Sequence, residues 1–184
     1  MIFKRFFGST RQNDPIAWSL YEAAVNQARE PAFYRDLGVP DTLDGRFELI
    51  SLHVFLILRR LKEADQGGGQ LGQDLFDAMF SDMDRSLREM GAGDLGVAPR
   101  VKKMAKAFYG RTSAYETALV EEAEPADLEE ALLRNVYGTV DSPTPAVARA
   151  LTDYVRRELA NMSGQPLDAL RRGVVWFGAP PEIE

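Results

Sequence analysis

Residues 40–63, PDTLDGRFELISLHVFLILRRLKE, hold the reading on which the fold turns. Ten of the fifteen residues in 47–61 are aliphatic or aromatic, and at helical spacing they fall on every side of the wheel. A helix that is apolar all round is enclosed by other helices. Glu48, Ser51 and His53 interrupt the run early and Arg59-Arg60 close it, so it falls short of the roughly 18–20 apolar residues that a bilayer-spanning helix requires. The segment reads as a central core helix over about 43–64. Val39-Pro40 forces an extended entry, and Asp41 or Thr42 supplies the N-cap. Asp44-Gly45 also fits a hairpin turn, but no alternating strands flank it.

Working outward, the chain reads as one helix after another. Asp14-Pro15 is a capping residue followed by proline at the first helical position, and Ile16, Leu20, Ala23 and Ala24 continue the period to about Arg29. Pro31 opens a short piece ending near Leu37-Gly38. Gly67-Gly68-Gly69 is a flexible joint, since no Gly-Lys-Ser/Thr follows it and no buried strand precedes it to make a phosphate loop. Leu71, Leu75, Phe76, Met79, Met83, Leu87 and Met90 mark the next helix, from about 70 to 90. Pro99 is expected to open a helix to about Glu122 around Val101, Met104, Phe108, Tyr115 and Leu119, with Gly110 as a weak point. Helices from Pro125 to about Tyr137 and from Thr144-Pro145 to about Met162 follow, then a turn over 167–172 and an extended Val174-Val175-Trp176-Phe177 tail. No repeat at a fixed period is apparent. The fold expected is all-α: a single globular multi-helix domain of about seven helices. Residues 1–13 read as a flexible or docking segment, 14–177 as the helical domain and 178–184 as a tail.

Composition removes several functions. The chain has 184 residues, net charge −6 and no cysteine, which excludes disulfides, thiolate nucleophiles and cysteine-ligated zinc. Its single histidine cannot build a multi-histidine metal centre. The acidic balance argues against DNA binding. No Gly-x-Ser-x-Gly elbow is present, and His53 sits among Leu52, Val54 and Phe55, where a histidine reads as a hydrogen-bonded core residue. Acid pairs such as Asp82 with Asp84 lack a spacing that marks acid–base work. No catalytic residue, metal ligand or cofactor is therefore assigned. Nothing in residues 1–15 reads as an export signal, so the cytoplasm is the expected compartment. Phe3, Phe6 and Phe7 beside Lys4, Arg5 and Arg11 suit either docking on the domain or an anionic membrane surface.

Charge is unevenly distributed. No acid occurs from 96 to 115, where Arg100, Lys102, Lys103, Lys106 and Arg111 lie within twelve residues. That basic 100–111 face is either a solvated surface or a contact for an acidic or phosphate-rich surface or an anionic membrane. By contrast, residues 121–130 carry six acids in ten, a pattern that suits a loop and a helix N-terminus.

Pro40-Asp41-Thr42, Phe47, Leu49, Leu52-His53-Val54 and Arg59-Arg60-Leu61-Lys62 come in a distinctive order. Further along stand Met90-Gly91, Lys102-Lys103-Met104, Phe108-Tyr109, Ala131-Leu132, Asp153-Tyr154-Val155-Arg156 and the stretch from Gly173 to Trp176. Together these resemble the ubiquinol-cytochrome c chaperone family, the bacterial and mitochondrial relatives of the cytochrome bc1 assembly factor Cbp-three. The resemblance implies a non-catalytic helical chaperone for bc1 assembly, with newly made cytochrome b or another bc1 subunit as client and the ribosome as an alternative to an anionic membrane at the basic 100–111 face. The family's mitochondrial presequence and anchor are not seen here, so the chain resembles a bacterial member, cytoplasmic with a peripheral inner-membrane contact. Asp41, Arg46, Glu48 and His53, with Arg100, Lys102, Lys103 and Lys106, are the candidate partner-binding residues. Met79, Met83, Met90 and Met104 read as core, or alternatively as apolar surface lent to a client. A second class of function is a lipid or quinone pocket between the central helix and the Phe108–Tyr115 face, with His53 and Arg46 or Arg60 as its polar groups.

Overall fold

The computed structural model describes residues 14–64, 69–120 and 122–181; the expected docking segment at 1–13 lies outside them. Among the described residues the elements are α1 (Pro15–Ala28), α2 (Pro31–Arg35), α3 (Leu43–Ala64), α4 (Gly69–Glu89), α5 (Asp94–Thr117), α6 (Pro125–Val136), α7 (Pro145–Gly164) and α8 (Leu167–Leu170). No strand occurs among them.

α3 is the axis. Residues 47–57 are all buried, leaving no face to solvent over three turns. α1, α4, α5, α6, α7 and α8 all pack against it, and α1–α4, α4–α5, α5–α6 and α6–α7 contacts form the surrounding wall. Its N-cap is Thr42, whose Oγ1 accepts the Gly45 amide at 3.1 Å. Gly45 is obligatory for a steric reason, because a Cβ there would lie 2.0 Å from the Pro40 carbonyl oxygen. The Asp44-Gly45 pair thus lets the extended Val39-Pro40 entry fold back against the helix.

The surrounding helices follow local rules. Asp14 Oδ1 accepts the Ile16 amide at 2.9 Å, with Pro15 next in the first turn of α1. Ala17, Leu20, Tyr21, Ala24, Val25 and Ala28 then face inward. Gly38, at φ +65°, ends the α2 region, and the buried Tyr137 hydroxyl donates to the freed Leu37 carbonyl at 2.9 Å. Leu75, Met79, Met83 and Leu87 are buried along α4, and Phe76 and Phe80 pack edge-on to Phe108 of α5 at centroid distances of 5.7 and 6.0 Å.

α5 differs from expectation at both ends. It starts at Asp94, five residues before Pro99, and stops at Thr117 instead of near 122. Proline within the second turn forfeits a single i→i−4 bond, and Val97, fully buried, anchors the turn ahead of it. Tertiary packing thus extends the helix past a proline that local chemistry marks as its start.

After α8 the chain runs without regular secondary structure over 174–181. Val175 and Phe177 turn inward against the core, while Val174 and Trp176 stay half exposed. Gly173, at φ +79°, makes the reversal that brings this strap back over α1. Its Cα lies so close that a Cβ would touch Ser19 and the Ile16 carbonyl.

Candidate functional site

Polar groups in a core must find partners inside it. His53 is fully buried at the middle of α3, and both ring nitrogens are engaged: Nδ1 with the Leu49 carbonyl at 2.7 Å and Nε2 with the Tyr154 hydroxyl of α7 at 2.8 Å. A carbonyl only accepts, so Nδ1 carries the proton and Nε2 accepts from Tyr154. Gln27 of α1 donates to the same hydroxyl at 3.0 Å and to the Gly178 carbonyl at 2.8 Å. One proton direction, from Gln27 to Tyr154 to His53 to Leu49, satisfies the whole chain. Phe33, Tyr154 and Phe177 close edge-on around the imidazole at 5.1–5.8 Å. Desolvation lowers the histidine pKa from 6.5 to about 4, against smaller opposing contributions from Leu49 and Glu158. The ring is a neutral structural joint.

The same seam continues beneath the strap. Glu158 of α7, fully buried, accepts from Asn161 Nδ2 and from the Gly178 amide, both at 2.9 Å, and from Arg157 Nε at 3.2 Å. Gln165 reads the Trp176 main chain twice, donating to its carbonyl at 2.7 Å and accepting its amide at 3.2 Å. Arg157 also donates to the Ala179 carbonyl. Among the described residues no strand flanks the strap, and side-chain amides and a carboxylate take the place of a β-ladder. Sequence reading missed Gln27, Tyr154, Glu158 and Gln165 as a group. A signal existed in Glu158, an acid set at helical spacing with the apolar positions Leu151, Tyr154, Val155 and Met162.

Glu48 and Arg46 part company although they are near neighbours. Glu48, 5% exposed, makes a two-pronged ion pair with the Arg111 guanidinium of α5. Burial pushes its carboxyl up while Arg111 pulls it back. Asp41 and Arg46 form an exposed pair at 2.6 Å, in which the Arg46 hydrogen bond holds the Asp41 carboxyl below its ordinary range. Surface pairs of this kind add little stability.

Arg111 therefore leaves the basic face expected for it and becomes an inter-helix tie. Arg100, Lys102, Lys103 and Lys106 remain exposed and make no ion pair among the described residues. The eight candidate residues do not converge: two form a surface pair, two are buried on α3, and four line the outside of α5. Nor does His53 open into a pocket with Arg46 or Arg60, since its ring is fully buried and both nitrogens are engaged by Leu49 and Tyr154. A cleft between α5 and α6 is lined by Gly110, Ser113, Thr117, Asp127, Glu130 and Arg134 among others, and its polar lining does not suit a quinone tail. Of the methionines, Met79 and Met83 are core, Met104 is part-buried and Met90 is 58% exposed. No described helix is long and apolar enough to cross a membrane.

With this geometry in view, the relatives are informative. The sequence pattern of the Ubiquinol-cytochrome C chaperone family matches residues 35–177. The chain is 25% identical over 163 residues to ubiquinol-cytochrome-c reductase complex assembly factor 1 of Xenopus laevis, covering 87% of this chain and 80% of that protein. It is 24% identical to the Drosophila melanogaster protein of the same name, covering 86% of this chain and 62% of that one. It spans about half the length, 50%, of the Homo sapiens counterpart, at 24% identity over 82% of this chain. The crystal structure of the Cbp3 homolog from Brucella abortus superposes with a TM-score of 0.79 at 36% identity over 94% of both chains. The matched region runs from the end of α2 to the last inward-facing residue of the strap, and the chain belongs to the ubiquinol-cytochrome c chaperone family.

Proposed function

We propose that this protein is a non-catalytic assembly factor for the cytochrome bc1 complex, which receives newly made cytochrome b on the cytoplasmic side of the membrane before the complex is built. The observation that carries the reading is the family match across 35–177, nearly the whole helical domain, together with relatives named as assembly factors of ubiquinol-cytochrome c reductase. Its side-chain chemistry supports a role without catalysis. The histidine is locked in a saturated hydrogen-bond chain, and the buried acids Glu48 and Glu158 are engaged in inter-element ties. What the surface offers a client is apolar area at Val174 and Trp176 on the strap, 50% and 48% exposed, on a backbone held rigid by the polar seam.

Deletion of the gene tests the reading. Reduced-minus-oxidised spectra of membranes should lose most cytochrome b absorbance, and quinol–cytochrome c reductase activity should fall with it, while succinate dehydrogenase stays level. Normal cytochrome b and normal reductase activity would remove the assembly role. A photo-crosslinking residue at position 176 should capture cytochrome b during synthesis. Capture of another bc1 subunit instead would correct the client and leave the assembly role standing.

A further inference from the structure

We propose that the outward face of α5 docks on an anionic phospholipid bilayer, with its lysines at the phosphates and Leu95 inserted beneath them. This deepens the assembly reading and rests on it for the presence of a membrane, while its test uses purified protein alone. At 100° per residue, Leu95, Lys102 and Lys106 fall within an arc of about 40°, with Lys103 beside it, while Tyr109 beyond them packs on Phe76 of α4 at 5.3 Å. That arc is opposite the stripe of Val97, Val101, Met104 and Phe108 that packs on the core. Leu95 to Lys106 spans about 17 Å, a stretch able to lie flat on a bilayer.

Two independent observations select the occupant. The first is charge: Arg100, Lys102, Lys103 and Lys106 are exposed and make no ion pair among the described residues, and α5 carries no acid from 96 to 115. On the adjoining α4, Asp82 and Asp84 are paired with Arg85 and Arg88, and Asp74 and Asp77 accept from Gln70 and Gln73. Asp74 and Asp77, bonded to neutral amides, and Glu89 are the acids of α4 with no ion pair among the described residues. The second is apolar exposure at one end of that charge. Leu95 is 97% exposed and Met90, at the other end of the same turn, 58%. An RNA surface offers phosphates but nothing for Leu95 and Met90. A bilayer offers hydrocarbon a few ångströms below its phosphates, which is the profile that cationic faces with apolar insertions fit. The overall charge of −6 opposes approach by any other face and so orients the molecule.

Flotation of the full chain with phosphatidylcholine vesicles containing phosphatidylglycerol should show binding at low salt that fades as salt rises to about 0.5 M, and no binding to phosphatidylcholine alone. Lys102→Glu/Lys106→Glu should lower partitioning about tenfold or more, whereas the charge-matched Arg149→Glu/Arg172→Glu on other elements should change it less than about twofold. Leu95→Trp should show a blue-shifted emission on anionic vesicles. Equal binding to both vesicle types, equal losses in the two charge variants, or an unshifted emission from the Leu95→Trp protein would each overturn the proposal. Binding to purified ribosomes without binding to vesicles would assign the face to RNA. Normal cytochrome b in the deletion strain would remove the assembly role and leave these vesicle measurements unaffected.

Discussion

His53 carries no formal charge at neutral pH because the fold supplies a donor for Nε2 and an acceptor for Nδ1 and buries the ring away from solvent. Its pKa is depressed from 6.5 to about 4 in the folded protein, so folding excludes a proton that the unfolded chain binds readily at mildly acid pH. The stability tied to this group is complete above about pH 6.5 and is lost as pH falls toward about 4, up to roughly 3 kcal/mol. Glu48 runs the other way: its carboxyl is raised by burial, so its contribution is greatest in acid and declines as pH rises through its folded value. A difference measurement therefore isolates the histidine. Urea denaturation of the protein and of His53→Gln should give a stability gap that is widest near pH 7.5 and narrows by roughly 2 kcal/mol or more by about pH 4.5. A gap that stays constant across that range would mean that the ring titrates as it does in water.

At the scale of elements, glycines with opposite surroundings separate strap from helix. Gly178 sits where a Cβ would come within 2.6 Å of Glu158 Oε1, and that carboxylate is pinned by Asn161, Arg157 and the strap itself. Gly178→Ala should cost about 1–3 kcal/mol through overpacking. Gly110 lies inside α5 with nothing within 4 Å of a new Cβ, so Gly110→Ala should add about 0.5–1 kcal/mol. Chemical-denaturation midpoints moving in opposite directions would bear this out; a rise for both would mean that the strap is not held by Glu158. The same contrast explains what was readable beforehand. Pro15, Pro125 and Pro145 each stand in a first turn, where local chemistry decides the start, and α3 announced itself by being apolar all round. Pro99 misled because the preceding turn exists through the burial of Val97, a tertiary effect. Arg111 misled for a similar reason: helical spacing puts it near the lysines, and only the packing of α5 on α3 brings it to Glu48, 63 residues away. The lysine face itself was legible, since it depends on a single helix. The seam of Gln27, Tyr154, Glu158 and Gln165 was not, since it joins three helix neighbourhoods and a strap.

Across the whole molecule, burial is concentrated on one helix and thins toward another. Residues 47–57 of α3 are buried on every side, so their amides are reachable only when the surrounding helices separate. From 94 to 107, by contrast, Val97 is the one fully buried described residue. With α5 half-wrapped and interrupted by Pro99, its first turns sit at the low-stability end of the molecule. Native-state hydrogen exchange should show amides of 49–57 opening with the global free energy, and those of 100–107 opening locally at a cost lower by about 2 kcal/mol or more. The client contact proposed for the strap and the membrane contact proposed for α5 then fall in regions of different local stability. Anionic vesicles should raise protection over 100–107 and leave 49–57 unchanged, because the bilayer adds partners only to the exposed face. Protection that is uniform along the chain without vesicles would contradict this division of stability. Protection that rises equally in α3 and α5 with them would point to a global stabilisation in place of docking through one helix.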